Sequence, residues 1–183
     1  MRKTMTRIPL IAIVTFAAAA AASCVRVEAD VPEAEVTQKA VSFEGINRVN
    51  QVDEVSTTQT FTLSADDLSW AENLNAEVYA KEVELKATGK YQDLSFIHYA
   101  RVTMSDGTAD STTPAVEIIN YERPADTTAI PVIDVKTSVP IDVTKVWSAK
   151  KVVITMEIAG TLPQESWAAD VTLHLSGKIT YKM

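Results

Sequence analysis

The chain has 183 residues, of which 17 are basic and 24 acidic, and its formal net charge is −7. An acidic surface repels phosphate backbones, which argues against nucleic acid as a partner. The single cysteine, Cys24, has no second cysteine to pair with, so an intramolecular disulfide is excluded.

The first 23 residues predict export. They begin with three cations, Arg2, Lys3 and Arg7. An apolar run follows from Ile8 to Ala22, and small residues lie directly before Cys24. A positive flank, a short apolar core and a small-residue cleavage site are the parts of a secretory signal. The run of about 15 residues is shorter than the roughly 20 that a membrane-spanning helix needs, so we expect residues 1–23 to be a signal peptide.

The sequence Ala21-Ala22-Ser23-Cys24 resembles the bacterial lipobox, in which a lipidated cysteine becomes the first residue of the mature chain. The resemblance implies that lipid on Cys24 holds the protein to a membrane. Several acyl chains would anchor it firmly, because each buried methylene contributes about 0.8 kcal/mol. Val25 follows the cysteine where an aspartate is associated with inner-membrane retention, which favours the outer membrane of a bacterial envelope. The alternative is an ordinary signal peptide that leaves an unmodified cysteine.

Residues 24–40 predict an acidic tether. Their acids alternate with Val and Ala, and Pro32 interrupts the pattern. Like charges and few aromatic residues favour an extended, solvated segment. Loss of the three signal cations leaves 14 basic residues against 24 acidic ones, so the mature chain carries a net charge of about −10. The predicted organisation is therefore a signal peptide at 1–23, a tether at 24–40 and a folded domain at 41–183.

The folded domain shows the period-two alternation of half-buried strands. Strands are predicted at 41–49, 57–63, 78–87, 96–104, 115–121, 130–143, 152–158 and 171–181. A brief helix is predicted after Ser64, with Asp66 and Asp67 favouring its first turn rather than serving as catalytic carboxylates. This pattern predicts an all-β fold in which two antiparallel sheets pack face to face as a sandwich.

The chain carries no motif that predicts catalysis, and we expect no enzyme activity, metal or cofactor. Asp106 and Asp110 lie on either side of Gly107, an arrangement that also occurs in calcium-binding loops, but the full spacing of a calcium loop is absent. His98 lies in the apolar register of its predicted strand, which favours a core or rim histidine over a ligand. His174 lies in the polar register of the last strand and is expected to face outward.

A family resemblance supports the sandwich. Several parts of the C-terminal third resemble the end of small bacterial lipoproteins with an immunoglobulin-like β-sandwich: Ile141–Trp147, Gly160, Pro163, Trp167–Asp170 and the last long strand. The run Asp93–Ile97 is similar to the same group and to the late-embryogenesis-abundant type of sandwich. The resemblance implies the fold and no particular activity.

Two functions remain from the sequence. The first is a non-catalytic module for protein interaction or structure, with another envelope protein as partner. The second is binding of a glycan or a lipid, with Trp70, Trp147 and Trp167 as candidate stacking surfaces. The competing interpretation of these tryptophans is that they close the ends of the core.

Overall fold

The computed structural model describes residues 26–46, 54–64, 76–125, 129–149 and 151–182. The first half forms β1 (Arg26–Phe43), β2 (Val55–Ser64), β3 (Glu77–Thr88) and β4 (Ile97–Asp106). The second half forms β5 (Val116–Glu122), β6 (Val132–Asp142), α1 (Thr144–Trp147), β7 (Lys151–Gly160) and β8 (Trp167–Lys182). The helix predicted after Ser64 lies outside the described residues. Within them, no helix is long and apolar enough to cross a membrane.

The strands form two antiparallel four-stranded sheets. The first sheet has the order β1-β8-β3-β6 and the second has the order β2-β7-β4-β5. The chain pairs β1 with β8, β2 with β7, β3 with β6, and β4 with β5, so it is one antiparallel ribbon folded back over itself. Eight strands in this arrangement form a jelly roll. The predicted two-sheet antiparallel sandwich is therefore confirmed.

The strand order differs from the immunoglobulin-like one that the resemblance implied. In an immunoglobulin sandwich the first two strands are neighbours in one sheet. Here β1 and β2 lie in opposite sheets, and β1 pairs with the last strand instead. The difference arises because the apolar face of β1 is matched by β8, whose alternation runs along almost the whole of β1.

The core lies between the two sheets and is built from alternate residues of their central strands. The alternation predicted for β7 and β8 is confirmed. The buried side chains of these two strands are Val152, Ile154, Met156, Ile158, Trp167, Ala169, Val171, Leu173, Leu175 and Ile179. Burial of apolar surface at about 25 cal/mol per Å² is what holds the two sheets together.

The predicted acidic tether of residues 24–40 is wrong, because residues 26–40 form most of β1. Ala34 and Val36 are buried, while Glu33 and Glu35 lie on the exposed side of the strand. The alternation of acids with small apolar residues is therefore the pattern of a strand with one wet face. Pairing with β8 also satisfies the backbone groups that a tether would leave to water.

β4 contains a second correction. His98 was predicted to share the buried face of Ala100, but the pairing of β4 with β7 shifts register between Ile97 and Tyr99. The shift places Ile97 in the core, with 0% of its surface exposed, and leaves His98 half-buried. A bulge of this kind reverses the side-chain pattern within one residue. On β8, His174 faces outward as predicted and is half-buried on the outer face of the first sheet.

The two ends of the sandwich differ in what they carry. Arg26 pairs with Lys182, so the start of β1 and the end of β8 share one end of the sandwich, which we call the terminal end. At the opposite end, the loop end, the β3–β4 and β5–β6 connections cross between the sheets. Asp93 fastens these two crossings, since one of its carboxylate oxygens accepts the N–H groups of Ile130, at 2.8 Å, and Ser95, at 2.9 Å. The N–H of Leu94 in turn donates to the carbonyl of Ile130 at 2.7 Å.

Candidate functional site

Two of the three candidate stacking tryptophans are part of the core. Trp147 and Trp167 are each 3% exposed. The Trp167 ring stacks on Phe43, with 4.1 Å between centroids, and meets Phe96 edge to face at 5.0 Å. Neither indole therefore offers a face to a ligand, and for these two residues the ligand-stacking prediction is wrong. Cys24 and Trp70 lie outside the described residues.

Trp147 and Trp167 close opposite ends of the core, as the competing interpretation expected. Trp167 belongs to the aromatic cluster at the loop end. Trp147 ends α1, which packs at the terminal end, where Thr144 accepts the N–H of Val78 at 2.9 Å. A short helix with two buried residues, Val146 and Trp147, thus covers the opening between the sheets.

His98 joins three segments at the loop end. Its Nδ1 lies 2.8 Å from a carboxylate oxygen of Glu54, and its Nε2 lies 3.2 Å from the hydroxyl of Thr161. Carboxylate, imidazole and hydroxyl in this order are the arrangement of a nucleophilic triad. A nucleophilic triad also needs N–H groups that stabilise the oxyanion. The N–H of Thr161 already donates to the carbonyl of Phe96 at 2.9 Å, so this N–H group cannot serve that purpose. We interpret the contact as a fastening that holds the beginning of β2 to β4 and to the β7–β8 loop.

The first sheet is bulged in three of its four strands at one level. β1 shifts register between Val31 and Ala34, and β3 shifts between Ala80 and Glu82. Beside the β3 bulge, four residues of β6, 137–140, lie opposite Lys81 alone. Bulges bend a strand and re-aim its side chains. Here the irregularities of β1 and β6 lie on either side of β8 and β3, whose outward side chains form the floor between the two edge strands.

The result is a groove across the outer face of the first sheet, which we call the bulge groove. Its volume is about 590 Å³, within the range of sites that bind small ligands. One wall carries Asp30 and Glu33 of β1, and the other carries Val139 and Pro140 of β6. Val139 is 69% exposed and is the one large apolar side chain that stands out from the described surface.

The floor of the bulge groove combines an aromatic ring, a small hydroxyl side chain and cations. It consists of Tyr79 and Lys81 of β3 with Ser176, Gly177 and Lys178 of β8. Gly177 has no side chain and pairs with the β1 residue Val31 at the start of the bulge. It also pairs with the buried Val78 of β3, so its missing side chain lies on the core face of β8. A glycine inside an alternating strand indicates a bulge or close packing, but it does not predict the groove that lies beside it.

Ion pairs hold the charged side chains of the bulge groove. Lys81 Nζ lies 2.6 Å from a carboxylate oxygen of Glu33, and this contact lowers the pKa of Glu33. Lys178 pairs with Glu28, which raises the pKa of the lysine. The Tyr79 hydroxyl donates to Glu77 at 2.7 Å, and this bond raises the pKa of Tyr79 to about 12. At neutral pH the Glu33 carboxylate and the Lys178 ammonium group are therefore charged, and the Tyr79 phenol is neutral.

The second sheet offers an open edge. β2 is an edge strand whose ten residues include no charge, no proline and no glycine. It pairs with β7 without a register shift. Its outward side chains form a row of exposed hydroxyls, Ser56, Thr58, Thr60 and Thr62. In the described part of the chain no strand pairs with its other side, which we call the β2 edge.

The other three edge strands carry features that discourage pairing with another chain. β1 has Pro32, two register shifts and a row of acids. β6 has Pro140 and Lys136, and β5 is only seven residues long and carries Glu117 and Glu122. β2 has none of these features, and it is the one edge of the described sandwich that is open to strand addition.

Neither the Asp106 loop nor the two histidines form a ligand site among the described residues. The Asp106 carboxylate accepts hydrogen bonds from Thr108 and Ser111 of its own loop, which lower its pKa and stabilise the turn. His174 and His98 lie in different sheets. Across the described ranges, no three His, Cys, Asp or Glu side chains gather to hold a metal ion.

No protein-family model matches the sequence, and neither does any protein of curated function. Among solved structures, the chain resembles one described as the decameric BFDV capsid protein, at 11% sequence identity and a TM-score of 0.40. The matched region covers 84% of this chain and 99% of that one. This likeness is too weak to bear on function.

Proposed function

We propose that the protein is a lipid-anchored protein of the bacterial cell envelope whose jelly roll is a non-catalytic interaction module. In this proposal an extended segment of another envelope protein pairs with the β2 edge. The observation that carries it is the contrast between β2 and the three protected edges of the same sandwich.

Strand addition fits what β2 leaves open. An added strand takes its affinity from main-chain hydrogen bonds and its specificity from alternate side chains. Two inward residues of β2, Val55 and Phe61, are only half-buried. Apolar residues of the added strand would cover them, and small polar residues would meet the outward hydroxyls of Thr58 and Thr60 as cross-strand pairs.

The charge of the chain favours a different protein over a second copy. A mature chain with a net charge of about −10 repels itself. A partner with a neutral or basic segment faces no such repulsion along the uncharged β2. We therefore expect a hetero-complex in which the partner contributes one strand to the second sheet.

The anchor and the fold are consistent with each other. β1 begins at Arg26, two residues after Cys24, so a lipid on Cys24 would hold the terminal end of the sandwich close to the membrane. β2 runs from the loop end, where Val55 pairs with Gly160, to the terminal end, where Ser64 pairs with Lys151. A partner strand would therefore lie along the side of an anchored domain, accessible from the aqueous compartment.

The anchor is tested by metabolic labelling of the full-length protein with a radioactive fatty acid. We expect label on the wild-type chain and none on the Cys24→Ser variant, which should also leave the membrane fraction. Label on Cys24→Ser, or an unlabelled wild type that retains its leader, would contradict the anchored part of the proposal.

The partner is tested by photo-crosslinking in intact cells, with a photoreactive residue placed at Thr62. We expect one crosslinked product that mass spectrometry identifies as an envelope protein. The product should disappear when Thr58→Lys and Thr60→Lys are added, because charges on an edge strand block pairing. A probe at Thr103, on the same outer face but on a central strand, is the matched control and should give no product. A product of twice the mass of the chain, or a product that survives the two lysines, would sink the proposal.

A further inference from the structure

We propose that the bulge groove binds a neutral saccharide, with Tyr79 as the ring on which a sugar packs. This site lies on the outer face of the first sheet, and it is independent of the partner proposed for the β2 edge.

Charge balance selects a neutral ligand. Two carboxylates, of Asp30 and Glu33, and two ammonium groups, of Lys81 and Lys178, line the groove. Both ammonium groups already pair with a carboxylate, Lys81 with Glu33 and Lys178 with Glu28, so no free cation remains for an anionic ligand. A cation would have to displace these ammonium groups from their carboxylates. A ligand of neutral hydroxyl groups gains from both kinds of side chain, because each hydroxyl both donates and accepts hydrogen bonds.

The floor fits the shape of a sugar. The faces of a pyranose ring carry C–H groups that pack on apolar surface, while its rim carries hydroxyls. Tyr79 supplies a ring that its hydrogen bond to Glu77 holds in place. Ser176, directly opposite Tyr79 on β8, has a small side chain and leaves room for a ligand above the strand. Val139 and Pro140 on the β6 wall add apolar surface to the other side.

The rim of the groove is arranged before a ligand arrives. Lys81 on the floor and Glu33 on the β1 wall form an ion pair, with 2.6 Å between Nζ and the carboxylate oxygen. This pair holds a donor group and an acceptor group in place. Groups that are already ordered lose less entropy on binding. The groove is also formed by backbone bulges rather than by a loop, which places the walls on paired strands.

The backbone of the floor argues against an extended peptide. β3 pairs with both β8 and β6, and β8 pairs with both β1 and β3. Their N–H and C=O groups are therefore used within the sheet, and no ladder remains for a peptide that lies across them. A peptide would have only side-chain contacts here, whereas a saccharide needs no backbone pairing.

The test is calorimetric titration of the full-length protein in detergent with neutral hexasaccharides: maltohexaose, cellohexaose, laminarihexaose and chitohexaose. We expect at least one to bind. Tyr79→Ala should weaken that binding at least about tenfold, as the loss of a central aromatic contact does. Tyr99→Ala removes the same side chain from the outer face of the second sheet and should leave the affinity unchanged.

A second pair of variants guards against loss of the fold. Ser176→Phe fills the floor while keeping Tyr79, and should abolish binding. Thr172→Phe places the same ring on the same face of β8, outside the groove, and should have no effect. The proposal is overturned if none of the four saccharides binds, if Tyr79→Ala and Ser176→Phe both bind like wild type, or if a neutral unstructured peptide binds in a Tyr79-dependent manner instead.

Discussion

The two sheets of the jelly roll share one core, but their outer faces differ in regularity and in charge. The first sheet is bulged in three strands and carries cross-strand ion pairs around a groove. The second sheet has an unshifted β2–β7 pair, and the outward row of its edge strand β2 consists of hydroxyls. A sandwich can therefore offer a binding surface in two ways, on a face that bulges deform or along an edge without protecting features.

The edges β1 and β2 make the same contrast. They lie on the same side of the sandwich, in opposite sheets, and each pairs with one neighbour, β1 with β8 and β2 with β7. β1 has Pro32 and a row of acids, so its free side repels other strands. β2 has neither. Folding needs only that each strand pairs on its inner side, so the difference between the free sides points to function.

The largest effect on stability is expected from a residue of the core that the two sheets share. Trp167→Ala removes the ring that packs on Phe43 and Phe96, and should lower the free energy of unfolding by about 3–5 kcal/mol. Chemical denaturation measures the loss, and hydrogen exchange should accelerate in both sheets. Tyr99→Ala, which removes an outward ring, is the control and should cost much less. Faster exchange in one sheet alone would show that the sheets do not share one core.

The second prediction concerns the crossings between the sheets. Asp93→Ala removes hydrogen bonds from a carboxylate that fastens the β3–β4 connection to Ile130, and should cost about 1–3 kcal/mol in denaturation experiments. Asp106→Ala is the control, since it removes a similar carboxylate from a loop that joins no crossing.

The pH dependence of the Asp93 effect has a definite sign. Its hydrogen bonds lower the pKa of Asp93 below its usual value near 3.8. A lowered pKa means that the stabilisation is complete above that usual value and is lost as the pH falls through the lowered pKa. The difference between wild type and Asp93→Ala should therefore be constant near neutrality and shrink in acid. A difference that grows in acid would contradict the assignment.

The sequence predicted the strands better than their partners. The alternation in β7 and β8 identified the central strands, because a buried face leaves a period of two. The order of the strands was not predictable in this way, since pairing of β1 with β8 joins residues that are 124 (Phe43 and Trp167) to 156 (Arg26 and Lys182) positions apart. β1 itself was missed because its acids and Pro32 outweighed the alternation of Ala34 and Val36.

The sites were less predictable than the fold for a related reason. The bulge groove needs shifts in β1, β3 and β6 at one level, and no single segment shows that they coincide. A glycine such as Gly177 or a proline such as Pro140 indicates an irregularity in its own strand only. The tryptophans attracted attention as large aromatic residues, but a large ring is as useful in a core as on a surface. Tyr79, in a strand of ordinary appearance, lies in the groove.

The third prediction tests how much the ion pairs of the first sheet stabilise the fold. Lys136 lies 3.4 Å from a carboxylate oxygen of Glu82, with 69% of its side chain exposed. Lys136→Gln should cost less than about 1 kcal/mol, and the difference should vanish at high salt. Lys39→Gln makes the same charge change at an exposed residue that forms no ion pair among the described residues, and serves as the control. A loss of stability that persists in high salt would contradict this prediction, because it would mean that the ion pair makes a substantial contribution to the fold.

The smallest effect is expected on the β2 edge. Thr58→Lys and Thr60→Lys should each change the free energy of unfolding by less than about 0.5 kcal/mol, because both side chains are exposed and pair with nothing that the fold needs. The same two lysines should abolish crosslinking to the partner. An uncharged row that folding does not require is the basis of the proposed interaction edge. If instead the two lysines lowered stability by several kcal/mol, the hydroxyl row would belong to the fold, and the contrast between β1 and β2 would lose its functional meaning.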